Sequence, residues 1–231
     1  MKDSERDFEL RSFFGNFDAN LEFLCRSGIL KLGMKLLEIG SGTGGLLQAL
    51  RRMNYDIQGV EINPEVIARG RALYGSLPLI RVWSEKLPFK ASLFDAVLSF
   101  DVFEHIPDSD SHLREVHRVL KPKGVYLLQT PNKYTNALFE TIRWKSTTRW
   151  KKDHCSLHTR GELIRRFDRN GFKAIFVDNP VTNRFFTEKV AYYLGPLGPM
   201  MLRLVNPDHW PNTLKTGFYV KAIKQDIMDK K

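Results

Sequence analysis

A predicted strand that ends in a glycine-rich turn constrains the fold of this chain more than any other feature. The apolar segment 35–39 leads into Gly40-Ser41-Gly42-Thr43-Gly44-Gly45, and a helical pattern follows over 44–53. Glycines in such a turn permit positive φ and let the backbone pass close beneath a ligand. Because Gly40, Gly42 and Gly45 also match the dinucleotide pattern G-x-G-x-x-G, the turn alone predicts a nucleotide-like ligand without selecting one.

A carboxylate closes the next predicted strand. Glu61 ends the segment 55–61 and stands 21 positions after Gly40. In a doubly wound sheet this spacing places the carboxylate beside the glycine turn, where it can accept hydrogen bonds from both hydroxyls of a ribose. The glycine turn together with Glu61 is compatible with NAD as well as with S-adenosylmethionine.

The rest of the chain alternates between strand and helix patterns. Apolar runs predict strands over 35–39, 55–61, 79–83, 94–100, 124–130, 172–178 and 216–224. Helical patterns cover 44–53, 64–74, 109–120 and 159–170, and two short amphipathic helices fit within 4–28. This alternation predicts an α/β fold in which helices cover both faces of a largely parallel sheet.

The order of the motifs resembles the class I S-adenosylmethionine-dependent methyltransferases, especially the ubiquinone-biosynthesis-type and related small-molecule branch. The resemblance rests on the glycine turn, Ser84-Glu85-Lys86-Leu87-Pro88-Phe89, the run 94–106, Leu120-Lys121-Pro122-Lys123-Gly124 and Gln129-Thr130-Pro131-Asn132. It is strong over 33–132 and fainter in 158–163 and 170–172. It implies one doubly wound, Rossmann-like domain over 1–231, with a seven-stranded, mostly parallel sheet whose last strand, 216–224, is antiparallel.

The resemblance also implies which residues contact the cofactor S-adenosylmethionine. These residues are Glu38, Gly40, Ser41, Gly42, Gly44, Glu61, Ile62, Ser84, Glu85 and Phe100. By this likeness the glycines line the methionine and ribose, and Glu38 orients the amino-acid end of the methionine. Glu61 holds the ribose and Ile62 packs on the adenine. Ser84 and Glu85 bracket the adenine edge, and Phe100 lies near the methionine.

Trp83 departs from the family pattern. The family commonly has an acidic residue just before the adenine turn, and an indole cannot accept a hydrogen bond from the exocyclic amine of adenine. Trp83 is therefore interpreted either as a purine-packing side chain or as an ordinary buried strand residue. In both cases adenine recognition depends on Glu85 or on backbone groups.

Five histidine and polar positions are candidates for the acceptor side of the site. His105 follows the strand 94–100 at the edge where ligands bind in such sheets, and an imidazole is the commonest general base. Its alternative role is to shape the loop through hydrogen bonds. Asn132, Tyr134, His154 and His158 are candidate substrate contacts, although turn formation and helix capping are competing roles for them. No metal is expected, because Asp153, His154 and His158 match no strong ligand template.

Charge is concentrated in the C-terminal part of the chain. Residues 1–140 contain 18 Lys+Arg and 18 Asp+Glu, so the net charge of +10 lies in 141–231. Basic residues alternate with tryptophans over 143–152, and a short apolar stretch covers 192–204. These features favour an anionic or lipid-like acceptor and peripheral contact with a membrane, and they are also compatible with RNA or with a plain solvated surface.

These observations predict a cytoplasmic enzyme that methylates a small-molecule or lipid-like acceptor at oxygen. Residues 1–30 would form N-terminal helices and 33–132 the cofactor-binding half, with 133–158 and 184–212 as substrate-side cap or insertion segments. The start of the chain lacks the apolar stretch of a secretory signal, and Cys25 and Cys155 fit no redox or metal spacing. The alternatives are an RNA methyltransferase, a nicotinamide-dependent oxidoreductase and a non-catalytic cofactor-binding protein.

Overall fold

Seven strands form one sheet in the computed structural model, which describes residues 16–146, 148, 154–180, 182, 184–211 and 214–225. The strands are β1 (Lys35–Ile39), β2 (Asp56–Glu61), β3 (Leu79–Arg81), β4 (Phe94–Phe100), β5 (Leu120–Pro131), β6 (Phe172–Val177) and β7 (Gly217–Lys224). Their order is β3-β2-β1-β4-β5-β7-β6. Neighbours from β3 to β5 pair in parallel, and β7 pairs antiparallel with both β5 and β6. The predicted sheet with its antiparallel last strand is confirmed.

The described part of the chain forms eight α-helices, and five of them pack on the two faces of the sheet. They are α1 (Phe17–Ser27), α2 (Gly45–Arg52), α3 (Pro64–Tyr74), α4 (Ser109–Val119), α5 (Lys133–Trp144), α6 (Arg160–Arg169), α7 (Arg184–Leu194) and α8 (Leu197–Leu204). Helices α1, α2 and α3 pack on the face that includes Leu36 and Leu98. Helices α4 and α6 pack on the opposite face, which includes Leu37 and Val97. Successive strand residues point to opposite faces, and both faces are apolar because both are covered.

The strand order creates a crevice at the edge of the sheet where the strands end. The chain runs outward from β1 to β2 and β3, then returns to start β4 on the other side of β1. At such a reversal the loops after β1 and β4 diverge and leave a crevice at the carboxyl ends of the strands. The glycine turn, Glu61 and the loop after Phe100 all follow strands at this edge.

Several element boundaries differ from the sequence-based prediction. Strand β3 ends at Arg81 and not at 83, and the side chain of Trp83 is 64% exposed. The interpretation of Trp83 as a buried strand residue is therefore wrong. Strand β5 begins at Leu120, earlier than predicted, and α5, α7 and α8 occupy segments for which no helix was predicted. Of the two helices expected within 4–28, α1 is described, and residues 1–15 lie outside the described part of the chain.

A buried histidine supports the face of the sheet that packs on α4. His112 is fully buried, and its Nε2 lies 2.9 Å from the hydroxyl of Tyr126. Burial lowers the pKa of His112 to about 4, because a protonated ring would lose its solvation in the core. The folded protein therefore holds this ring neutral at pH values where the unfolded chain protonates it.

We expect the contribution of His112 to stability to be lost as the pH falls from about 6.5 toward about 4. A His112→Gln variant should be less stable than the wild type at pH 7 by about 1 kcal/mol or more. This difference in stability should shrink below pH 6.5. There, protonation of His112 in the unfolded chain destabilises the folded wild type, and the variant has no histidine to protonate at this position. Urea unfolding at a series of pH values measures the free energy of unfolding of both proteins, and His209→Gln, at an exposed histidine, is the control. A deficit that is constant with pH would contradict the assignment.

Candidate functional site

The turn between β1 and α2 has a backbone that glycine favours. Gly40, Gly42 and Gly44 have φ values of 70°, 54° and 84°. The amides of Gly40 and Ser41 both donate to the carbonyl oxygen of Val60, over 2.8 and 3.0 Å. The turn is thus fixed to the neighbouring strand β2 by backbone hydrogen bonds, with three residues in the left-handed region where a side chain is strained.

The three glycines differ in what surrounds them. A Cβ on Gly40 would lie 2.1 Å from Cγ2 of Val102, and one on Gly44 would lie 2.6 Å from Cδ1 of Leu77. A Cβ on Gly42 would meet no atom within 4 Å. The outer glycines therefore allow close packing within the protein, whereas the middle glycine faces open space above the turn.

Glu61 connects the glycine turn to the start of α3. Its Oε2 accepts from the amide of Gly42 over 3.0 Å, and its Oε1 accepts from the amides of Ile62 and Asn63 over 2.9 Å each. An ionised carboxylate has about four acceptor positions, so three amide donors leave room for a further one. The side chain is half-buried, and the structure places it beside the turn as predicted.

Glu38 is a buried acid just before the glycines. The residue is 5% exposed, and its Oε2 has no hydrogen-bond partner within the described residues. Burial raises the pKa of Glu38 to about 8, and the nearby charge of Glu61 acts in the same direction. A buried carboxyl oxygen without a partner is unfavourable, and a ligand that brings a donor or a positive charge would remove the penalty.

The remaining predicted cofactor residues follow the strands on either side of the turn. Ser84 and Glu85 are half-buried after β3, and the hydroxyl of Ser84 donates to Oε2 of Glu85 over 3.0 Å. Ile62 directly follows β2, and Phe100 is the last residue of β4, next to β1 in the sheet. The structure therefore brings all of the predicted cofactor residues to the carboxyl edge of four adjacent strands.

The loop after β4 forms the other wall of this edge. Asp101 has a φ of 54°, and its amide lies 3.0 Å from Oε1 of Gln129. Phe103–His105 form a short 3₁₀ turn that places Glu104 in the interior, 2% exposed, with its Oε2 accepting from Oγ1 of Thr130 over 3.1 Å. Burial, together with the neighbouring charge of Asp101, raises the pKa of Glu104 to about 8.

Two of the predicted histidines meet at this loop. The rings of His105 and His154 are 5.0 Å apart, and Nδ1 of His154 lies 3.0 Å from Oδ1 of Asn136. The side chain of His105 is 45% exposed, with its Nε2 3.9 Å from Oε1 of Glu104. One ring nitrogen or carboxylate oxygen from each of Glu104, His105 and His154 lies within 4.8 Å of the others. We name these three residues the His–Glu cluster.

The other predicted substrate residues take different positions. Asn132 is 1% exposed, donates to the carbonyl of Lys215 over 2.8 Å and caps α5 by accepting from the amide of Tyr134 over 3.2 Å. Tyr134 is 65% exposed. His158 is buried, its ring lies 5.5 Å from that of Phe103, and burial lowers its pKa to about 4. The structure thus uses Asn132 to hold the fold and separates His158 from the His–Glu cluster.

Glu104 and Asn136 are the residues of this edge that the sequence-based prediction missed. Glu104 was visible as an acidic neighbour of His105, directly after a predicted strand. Its approach to His154, 50 positions later, depends on tertiary structure, as does the contact between His154 and Asn136. Asp153, which had been considered together with His154, lies outside the described residues.

The fold is that of a class of methyltransferases. An S-adenosylmethionine-dependent methyltransferase from Methanosarcina mazei superimposes with a TM-score of 0.63 and 18% identity, over 87% of this chain and 97% of that one. A family model described as a methyltransferase domain matches residues 13–176. Because this match covers well over half of the 231 residues, the chain belongs to that methyltransferase family, and the enzyme class predicted from the sequence is confirmed.

Named relatives differ in the atom that they methylate. The ubiquinone biosynthesis O-methyltransferase of Ruegeria pomeroyi is 28% identical over 205 residues, which cover 76% of this chain and 75% of that protein. The sterol 4-C-methyltransferase of Caenorhabditis elegans is 24% identical over 196 residues, 81% of this chain and 58% of that protein. The family assignment therefore establishes a methyltransferase, and the names of these two relatives do not agree on the acceptor atom. Within the described segments, no helix combines the length and apolar character needed to cross a bilayer.

The surroundings of the turn glycines predict two different responses to substitution. Alanine at Gly40 or Gly42 should cost about 1–2 kcal/mol for the left-handed backbone. Gly40→Ala should cost about 1–3 kcal/mol more, because its Cβ collides with Val102, whereas Gly42→Ala meets open space. Chemical unfolding measures both variants, and Val102→Ala added to Gly40→Ala should restore part of the loss. Equal losses at the two glycines, or no recovery in the double variant, would contradict this packing.

Proposed function

We propose that this methyltransferase holds S-adenosylmethionine between the glycine turn and Glu61 and transfers its methyl group to an oxygen atom of a small, apolar or lipid-like molecule. The observation that carries the cofactor assignment is the contact between Gly42 and Glu61. In this contact the amide of Gly42, in the glycine turn, lies 3.0 Å from the carboxylate of Glu61, and that carboxylate can accept a further hydrogen bond. A ribose presents two neighbouring hydroxyl donors, which suit such a carboxylate.

The residues present fit the whole of this cofactor. The unpartnered Oε2 of Glu38 lies in the interior before the turn and suits the ammonium group of the methionine moiety. Gly42 offers the space that a side chain would fill, and Gly40 and Gly44 keep the turn in the required shape. Ile62, Ser84, Glu85 and Phe100 would complete the contacts to adenine and methionine. The exposed Trp83 is available to pack on the purine face.

The main task of the protein in methyl transfer is to align the acceptor with the methyl group. Bound S-adenosylmethionine supplies a methyl group already activated by its sulfonium, so the protein must position the acceptor behind that carbon and exclude water. A hydroxyl acceptor must also lose its proton, whereas a carboxylate needs no such step. Glu104 and His105 of the His–Glu cluster follow β4, which is adjacent to β1, and His105 is the candidate for assisting this proton loss.

An apolar acceptor is supported by the helical segment between β6 and β7. Helices α7 and α8 and the residue after them expose a series of large apolar side chains, which are Tyr192, Leu194, Leu197, Met200, Met201, Leu204 and Val205. Exposed apolar groups in such number are typical of surfaces that contact lipid or another apolar partner. They belong to the part of the chain, 141–231, that has the whole net charge of +10, and this favours an anionic membrane surface as the source of the acceptor.

RNA is the second candidate acceptor, because basic and aromatic residues also grip single strands. Of the basic and tryptophan-rich segment 143–152 that raised this alternative, residues 147 and 149–152 lie outside the described residues. The apolar exposure of α7 and α8 and the small-molecule names of the relatives favour the lipid-like acceptor.

Calorimetric titration tests the cofactor assignment. We expect S-adenosylmethionine and S-adenosylhomocysteine to bind at one site and NADH to show no binding. Glu61→Ala should weaken S-adenosylhomocysteine binding about 10- to 100-fold, because hydrogen bonds to a charged group contribute about 1.5–3 kcal/mol. The matched control is Glu65→Ala, an exposed glutamate in the first turn of α3, which should bind as the wild type does.

Two results of that titration would overturn the assignment. One is an undiminished affinity in Glu61→Ala whose circular dichroism shows an intact fold. The other is tight NADH binding without binding of the sulfonium compound. Release of S-adenosylhomocysteine with a phenolic acceptor that has an apolar tail then tests methyl transfer, and mass spectrometry of the product distinguishes an O-methyl from a C-methyl group.

Vesicle co-sedimentation tests the apolar and basic surface. The wild type should bind vesicles that contain anionic lipid, and binding should fall when salt is raised from about 0.1 to 0.5 M, because exposed charges are then screened. Leu204→Asp, at a side chain that is 78% exposed, should reduce binding severalfold through lost insertion and like-charge repulsion. Leu32→Asp, 69% exposed on the connection between α1 and β1, should bind as the wild type does. Equal binding by both variants would contradict the proposed surface.

A further inference from the structure

The His–Glu cluster has the composition and spacing of a metal site. Two imidazoles and one carboxylate each contribute one potential ligand atom, and these atoms lie within 4.8 Å of one another. Oε1 of Glu104 and Nε2 of His105 are 3.9 Å apart. Ligands at about 2.0–2.2 Å from a cation stand at most about 4.4 Å apart, so a small inward movement of the side chains would complete the set.

Hydrogen bonds around the cluster orient the ligand atoms. Oδ1 of Asn136 is an acceptor, so its 3.0 Å contact assigns the proton of His154 to Nδ1 and the lone pair to Nε2. The hydroxyl of Thr130 occupies Oε2 of Glu104 and leaves Oε1 on the side of His105. Partners that fix the tautomer and the carboxylate orientation in this way are the usual surroundings of a metal site.

The backbone keeps the two parts of the cluster together. The amide of Ser156 donates to the carbonyl of Glu104 over 2.8 Å, and the hydroxyls of Ser156 and Ser109 are 2.5 Å apart. Residue 158 forms a β-bridge with residue 132 at the end of β5. The segment that contains His154 is thus fixed to the 3₁₀ turn, to the start of α4 and to the end of β5, and the approach of the three ligands belongs to the fold.

The charge at this position favours a cation. Glu104 is 2% exposed, and an ionised carboxylate in the interior is costly unless positive charge compensates it. Asp101, three residues earlier, adds acidic charge nearby. A divalent ion would stabilise the buried carboxylate, and two nitrogen ligands with one oxygen ligand suit a first-row metal such as Mn²⁺ or Zn²⁺ better than Ca²⁺.

We propose that Glu104, His105 and His154 bind one divalent first-row metal ion beside the loop after β4, which packs on the glycine turn through Val102. A catalytic role of this ion, in activating the hydroxyl of the acceptor, rests on the proposed transfer to oxygen. The metal site itself does not rest on it. A hydroxyl of the acceptor would coordinate the ion and lose its proton to solvent, because the ion lowers the pKa of a bound hydroxyl. A lone pair of that oxygen forms the new bond to the methyl carbon, and the carbon–sulfur pair passes to sulfur, which leaves as a neutral thioether. His105 is then a metal ligand and not the base.

Metal binding can be measured without a substrate. The 231-residue chain is freed of metal with a chelator, dialysed and titrated with MnCl₂. Electron paramagnetic resonance then follows the loss of the free Mn²⁺ signal. We expect one equivalent to bind, and His154→Ala to weaken binding at least 100-fold. Asn136→Ala, which removes the orienting partner, should weaken it about 10- to 100-fold. The exposed His209→Ala should bind as the wild type does, and melting curves identify any variant that is not folded.

The outcomes separate this proposal from the proposed function. Absence of stoichiometric binding, or binding that His154→Ala and Glu104→Gln leave unchanged, overturns the metal site. If the ion binds at the cluster but its removal leaves methyl transfer unaltered, the catalytic role is wrong. Loss of S-adenosylhomocysteine formation on chelation, with recovery on adding Mn²⁺, supports that role. Failure of S-adenosylmethionine to bind overturns the proposed function and has no bearing on the Mn²⁺ titration.

Discussion

The hydrogen bond between the amide of Gly42 and the carboxylate of Glu61 is the contact on which the proposed cofactor site of this molecule depends. It joins the end of β1 to the end of β2 over 3.0 Å, and the same carboxylate also accepts from the first amides after β2. A negative charge that satisfies three amides holds two loops in a fixed relation. That relation exists only because the parallel pairing of β1 with β2 brings both carboxyl ends to one edge.

The proposed acceptor side is held together by a different kind of contact. There the polar groups come from segments that are distant in sequence, and short backbone contacts hold them in place. Glu104 and His105 belong to the turn after β4, whereas His154 is brought to them by the hydrogen bond between Ser156 and Glu104. Asn132 and His158 were predicted as substrate contacts alongside His154. Both are instead buried where β5, α5 and α6 meet, and they pair with each other in a β-bridge.

The pattern of apolar residues was sufficient to predict the strands of the sheet and most of the helices around them. The helix α3 begins where Pro64 and the capping Asn63 indicate, because proline suits a first turn and the asparagine side chain accepts from the amides of Glu65 and Val66. Helices α7 and α8 were not predicted, because prolines punctuate their segment. Pro199 lies in the first turn of α8, where its missing amide costs no hydrogen bond. Trp83 was considered as a buried residue because its neighbours are apolar, but β3 ends before it and its indole is exposed.

The sequence by itself determined the class of fold, the glycine turn and the identity of the carboxylate opposite it. Such features follow from local periodicity, from glycine's access to positive φ and from the regular spacing of a strand–helix–strand unit. The metal-like arrangement of Glu104, His105 and His154, the capping role of Asn132 and the burial of His158 were decided by tertiary structure alone. Contacts between residues some 50 positions apart depend on how loops are fixed after the sheet has formed, and no local pattern in a single chain encodes that distance.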